Sequence, residues 1–526
     1  SGAAVSIPNS TLVLQSGLSL NGSTLKASGT TFTTNNNTIA LNGSILEVEG
    51  TQDLSGVVPD TSSTLRLGAN ATINDSSLLS VGTLDLANFA LTLNDQMGGL
   101  TVGQAVTLDA ATEQIISGDA DLSLGGGITV SNGILSSTGG TLSASGFSAG
   151  AAAKVNILGG TLILPAGGTA VSGAAITTSN AAVSMAGTLA VADTLTSTST
   201  NLSLTGDAIL SSTAPISLKT VDMKTYSMKL ESGTTDLTIT DSLKINSSGS
   251  YSGLDTGTAD LTINGPVTAI TGGILSYGGT LKFGAGANGS SFVADNTGMR
   301  VIDTALVLET DIEGSSILFA GSATLQTNGK KISLKKISLG YNFNKDLQTE
   351  LDFTDIETDG DTSLYLYGNS SIKKTGDIVF KRIYLLGQTL TLNNNITSLT
   401  AEAIGLTSYN PNSPVYLSNT GKLLAQGVDV KLTKKLWVDK GKVEMGGGKL
   451  SLIQGGGVEG DGEIDLTNST LSLTGPFLND GGKLTTSAST LTLSANTLFR
   501  LGNAVAFENY NPNGWGLLLY LSLIHI

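Results

Sequence analysis

The sequence predicts an all-β chain, a parallel β-helix (β-solenoid) with coils of about 20 residues. Three observations carry this expectation. A short phrase keeps returning: "GGTLSASG" from Gly139, "GGTLILPAGG" from Gly159 and "GGTLKFGAG" from Gly278. Within each unit, apolar residues fall at every second position. Clusters of Gly, Asn, Ser and Asp separate these units.

The spacing of the phrase is the first element. Thr-Leu pairs stand at Thr64-Leu65 and Thr83-Leu84, at Thr141-Leu142 and Thr161-Leu162, and at Thr470-Leu471 and Thr490-Leu491, 19 or 20 residues apart. "GGKL" occurs at Gly447 and Gly481. Propeller repeats are about twice as long and carry aromatic signatures. Sandwiches do not repeat a phrase at fixed spacing over such a length. Stacked coils do, because like residues then pile on like at the inter-strand distance.

Alternation is the second. "STLRLG", "TNLSLTG", "ADLTING" and "STLSLTG" place Leu or Ile at every second position, with Thr, Ser or Asp between. A period of two means a strand with one buried face. Turn chemistry is the third. Asn35 to Asn37 and Asn393 to Asn395 suit coil corners, where Asn and Thr can satisfy each other in ladders.

Composition sets limits on function. The 526 residues carry 27 basic and 42 acidic side chains, a net charge of −15, which is wrong for a phosphate-backbone binder. There is no Cys, and one His, His525. Ser-His-Asp, Cys-His and His-based metal chemistry are therefore not expected. No phosphate-cradling loop occurs, and no carboxylates recur in an active-site phrase, so an enzyme is not expected. The apolar run from Trp515 to Ile526 is too short to span a membrane.

Four segments are distinguishable: a Gly/Thr/Leu-rich solenoid at 1–329, a Lys- and aromatic-richer segment at 330–449, further solenoid at 450–520, and a tail at 521–526. Sixteen of the 27 basic residues lie between Lys330 and Lys449. The tail, Leu521 to Ile526, resembles translated sequencing-adapter sequence, which implies a fragment from a metagenome. A truncated hydrophobic anchor is the alternative reading.

Candidate binding residues fall in the second segment. In "DIETDGD", Asp355, Glu357, Asp359 and Asp361 sit two apart. On one strand all four would face the same way, and a calcium ion would relieve their repulsion. The spacing follows the opening of a calcium loop, yet Leu366 stands where its twelfth-position Glu belongs. A solvated acidic turn is the competing reading, and no other cofactor is expected. The strands "NGKKISLKKISLG" and "VKLTKKLWVDKGKVEMGGGKL" alternate Lys with apolar residues. They read as half-buried strands with a charged outer face, or as a surface drawn to acidic glycans or to lipopolysaccharide. Tyr365, Tyr367 and Trp437 are candidates for stacking on sugar rings, or for ladders within the fold.

The phrases "GGTLSASG", "GGTLILPAGG", "GDADLSLGGGITVSNGILSSTGGTL" and "GGGVEGDGEIDLTNSTLSLTG" resemble those of large secreted β-helical adhesins of bacteria. These are autotransporter passengers and filamentous-haemagglutinin-like repeat regions. The resemblance implies an extracellular or cell-surface location and attachment to host or environmental surfaces, glycans among them. A polysaccharide-degrading β-helix and a phage tail spike are the alternative readings.

Overall fold

In this computed structural model the described residues are 3–164, 169–171, 175–191, 199–247, 253–292, 298–340, 349–358, 360–393, 395–405, 415–417, 420–494, 497, 499–501 and 505–506. Asp359 and the tail at 521–526 lie outside them, as does Asn394. The chain is 59% strand and 1% helix, with parallel coils stacked about 21 residues apart, as the phrase spacing predicts. It is a β-solenoid. Two compact units divide it, Ser1–Thr268 and Ala269–Ile526.

Over residues 114–149 of the first unit a coil is three short strands, one on each of three faces. Gln114–Ile116, Leu122–Leu124 and Ile128–Val130 make one coil. Ile134–Ser137, Thr141–Ala144 and Phe147–Ala149 make the next. Each strand pairs in parallel with its counterpart: Ile115 with Leu135, Leu122 with Leu142, Ile128 with Phe147. The second unit repeats the plan. Lys442–Glu444, Lys449–Leu452 and Gly456–Glu459 lie directly against Glu463–Asp465, Thr470–Leu473 and Phe477–Asp480.

The Thr-Leu pairs seen in the sequence are direct neighbours in space. Thr64 pairs with Thr83, Thr141 with Thr161, and Thr470 with Thr490. The two "GGKL" copies are not: Lys449 pairs with Thr470 on one face, while Lys483 pairs with Glu463 on another. The phrase there marks a turn into a strand, not a fixed position around the coil.

Alternation becomes burial. Thr141–Ala144 and Thr470–Leu473 each alternate half-buried and buried residues. Leu122, Leu142 and Leu162 stack inside, each 1% exposed or less. A buried leucine contributes about 1.5–3 kcal/mol, so such columns are the main cohesive element of the coils.

The doubled glycine before Thr-Leu has a steric cause. A Cβ on Gly159 would lie 2.0 Å from the Thr138 carbonyl oxygen of the coil below. At Gly160, which has φ +68°, it would lie 1.2 Å from the Gly139 carbonyl oxygen. Successive corners pack backbone on backbone here, and only glycine fits.

The polar residues of the corners hold coil to coil. Asn35 and Asn36 take φ of 49° and 64°, and the Asn35 side-chain amide donates to the Leu14 carbonyl at 3.0 Å. Asn94 donates to Asn74 at 2.7 Å, and Thr200 to Thr178 at 2.8 Å. A second device recurs at a spacing of 20. The Asp121 carboxylate accepts from the Thr141 N–H at 2.6 Å, and Asp207, Asp311 and Asp429 accept likewise from Ser227, Lys331 and Lys449. Asn70 and Asn369 play the same part toward Ala90 and Thr389. Each satisfies a backbone donor where the ladder ends.

Candidate functional site

The Lys- and aromatic-rich segment lies within the second unit. Lysine alternation there follows the fold: in Ile332–Leu339, Ile332, Leu334, Ile337 and Leu339 are buried while Lys335 is exposed and Lys336 half-buried. In Asp429–Leu432, Val430 and Leu432 are buried and Lys431 is exposed.

The acidic stretch does not run along one strand. Only Ile356–Glu357 is strand, and it pairs with Ile332 and Ser333. Asp355 precedes it in a turn and accepts a hydrogen bond from the Thr327 hydroxyl. Glu357 accepts from Lys331 Nζ at 2.5 Å and from the Ser333 hydroxyl at 3.1 Å. Those two donors hold its carboxyl below the usual range, with the Lys331 hydrogen bond the larger cause, and the same pair raises Lys331. Asp361 is 3.4 Å from Lys381 Nζ and largely exposed. Lys374 donates to the Ile356 carbonyl at 3.1 Å, and burial lowers its pKa. Neighbouring coils therefore bring lysines to these carboxylates. Among the described residues no group of three or more His, Cys, Asp or Glu side chains is arranged to hold a metal. Asp359, the fourth acid of the stretch, lies outside the described residues.

The aromatic candidates are on two faces. Tyr365 lies in Ser363–Leu366, paired with Ser338 on one side and Tyr384 on the other. Its ring stacks on that of Tyr384, with centroids 4.2 Å apart and planes at 13°. Lys336 Nζ lies 4.5 Å from the Tyr365 centroid. Burial, reinforced by the Tyr384 hydroxyl, pushes the Tyr365 phenol far above its ordinary value. Tyr367 follows the strand, its N–H bound to the Leu339 carbonyl at 2.7 Å.

Trp437 is in Leu436–Val438, on the face that carries Gly456–Glu459, and pairs with Gly457. Its indole lies over that glycine. A Cβ on Gly457 would sit 2.6 Å from the indole Cζ3. Trp437 thus covers backbone that has no side chain of its own.

Sequence reasoning missed Lys336, Arg382 and Tyr384 as neighbours of Tyr365. For Lys336 the reason is irregular spacing: Ser338 pairs with Tyr365 27 residues on, whereas Tyr365 pairs with Tyr384 at the ordinary 19. The coil of Tyr365 carries an insertion, so no fixed period links Lys336 to it.

No family model matches the chain, no curated protein matches it, and no solved structure matches it. Among the described residues no helix is long and apolar enough to cross a membrane.

Proposed function

We propose that this chain is part of an extracellular, surface-displayed β-solenoid that mediates attachment to host or environmental surfaces, glycans among them. This is the role implied by its resemblance to bacterial secreted adhesins of the autotransporter and filamentous-haemagglutinin type. One observation supports it above others. Outward side chains repeat in register from coil to coil, as in the hydroxyl column of Ser451, Ser472 and Thr492. Such columns present the same group again and again at about 4.8 Å, so weak contacts with a repetitive surface can add.

The mechanism is display and multivalent contact, not turnover. The test is to incubate the purified chain with bacterial and host cells and with immobilised glycans, then measure retention after washing. Saturable retention on at least one surface is expected, and no retention on any would overturn the proposal. Release of new reducing ends from a bound polysaccharide would instead favour a polysaccharide-degrading β-helix. A stable trimer with glycan binding would favour a tail spike.

A further inference from the structure

Several cations in this protein have an acidic partner one coil away. Lys26 meets Glu47 and Glu49, Arg66 meets Asp85, Lys282 meets Glu309, and Lys483 meets Glu463. Lys336 and Arg382 differ. Among the described residues neither forms an ion pair, and Arg382 Nε is buried with no hydrogen-bond partner. Burial alone acts on Lys336, lowering its pKa, with no carboxylate to offset it. A half-buried cation without a counter-charge is costly to keep.

Their placement is specific. Lys336 pairs with Ser363, and Ser363 pairs with Arg382. The three form one outward column, cation, hydroxyl, cation, in which the middle side chain is small. The Lys336 and Arg382 backbone positions are therefore about 9.6 Å apart, two strand spacings, with the short Ser363 side chain between them. The next column supplies the wall, the stacked rings of Tyr365 and Tyr384.

From this geometry we propose that the Lys336–Ser363–Arg382 notch binds the anionic group of an acidic saccharide, a carboxylate or sulfate. The anion would lie over the Ser363 hydroxyl between the two cations, with the sugar ring against the edges of the tyrosine pair. Arg382 supplies a directed N–H donor, Lys336 a point charge, and Ser363 a neutral donor. This inference rests on the attachment reading above and names its ligand class.

The test uses the full chain and three probes: an oligogalacturonate for the carboxylate, a heparin-derived oligosaccharide for the sulfate, and a neutral maltooligosaccharide. Titration calorimetry should show that at least one anionic probe binds and the neutral one does not. The affinity should fall as salt is raised. Lys336→Gln with Arg382→Gln should weaken binding roughly tenfold or more, with melting unchanged or raised. Should the double variant fail to fold, Lys336→Gln alone must still weaken binding by several-fold. Equal binding by a folded variant, or no binding of either anionic probe by the native chain, would overturn the proposal. If the chain then still attaches to cells, only the notch assignment falls. If it attaches to nothing, the attachment reading falls as well.

Discussion

Replacing Leu142 by alanine tests the packing of the coils at one point. Leu142 is fully buried and stacked in register between Leu122 and Leu162. Truncation removes about three carbon groups, each contributing near 0.8 kcal/mol on burial. The corners above and below are fixed by glycine packing, so the site collapses little and a cavity adds to the loss. The expected cost is about 3–4 kcal/mol, within the usual range for buried leucine. Thr141→Ala, one residue earlier on the outer side, should cost about 0.5 kcal/mol or less. In a solenoid the damage is local, because each coil touches only its neighbours. Hydrogen exchange read by mass spectrometry is therefore the assay. Protection should fall in 122–124, 141–144 and 161–163 and stay unchanged in 470–473. Equal effects of the two substitutions, or uniform loss along the chain, would refute the stacking logic.

Three further outcomes are expected. Gly160→Ala should destabilise its coil by more than about 2 kcal/mol, since φ +68° and the 1.2 Å approach to the Gly139 carbonyl act together; denaturant melts of the variant check this. Asp60 accepts hydrogen bonds from the Ser62 and Ser63 hydroxyls, and with these as the main cause its pKa falls from 3.8 to about 2. A depressed carboxyl stabilises above its unfolded pKa. That stability is complete above about pH 4 and lost as pH falls through 2, so amide exchange at the 60–63 turn should accelerate in that window and not between pH 5 and 8. Glu463 bridges Lys442 at 3.6 Å and Lys483 at 2.9 Å. Because these charges are partly exposed, Glu463→Gln should cost less than about 1 kcal/mol, and molar salt should abolish the difference in melting.

What the sequence made legible was whatever repeats at a fixed interval. The alternation of "STLSLTG" gave the buried face of Thr470–Leu473, and the Thr-Leu spacing gave the register of Thr141 on Thr161. Those signals survive because inward residues and stacked corners obey the same constraint in every coil. The site residues obey no such constraint. Asp355, Glu357 and Asp361 read as a line of like charges, but a turn, a two-residue strand and three lysines from other coils separate or neutralise them. Lys336 meets Tyr365 only across a 27-residue step, out of the 19- or 20-residue period. The 20-residue Asp and Asn acceptors, such as Asp121 for Thr141, were also hidden. Their signal is a single polar residue among many turn residues of the same type.

The stacking register itself is open to one direct measurement, because the natural chain has no Cys. Thr141→Cys with Thr161→Cys places two thiols on directly paired residues of neighbouring parallel strands. The strand spacing of about 4.8 Å is within the span of a disulfide. Air oxidation should cross-link this pair nearly completely, within one molecule. Thr141→Cys with Leu162→Cys should not link, because Leu162 points to the core and is 1% exposed. Cross-linking of the offset pair in place of the paired one would contradict the parallel, in-register solenoid.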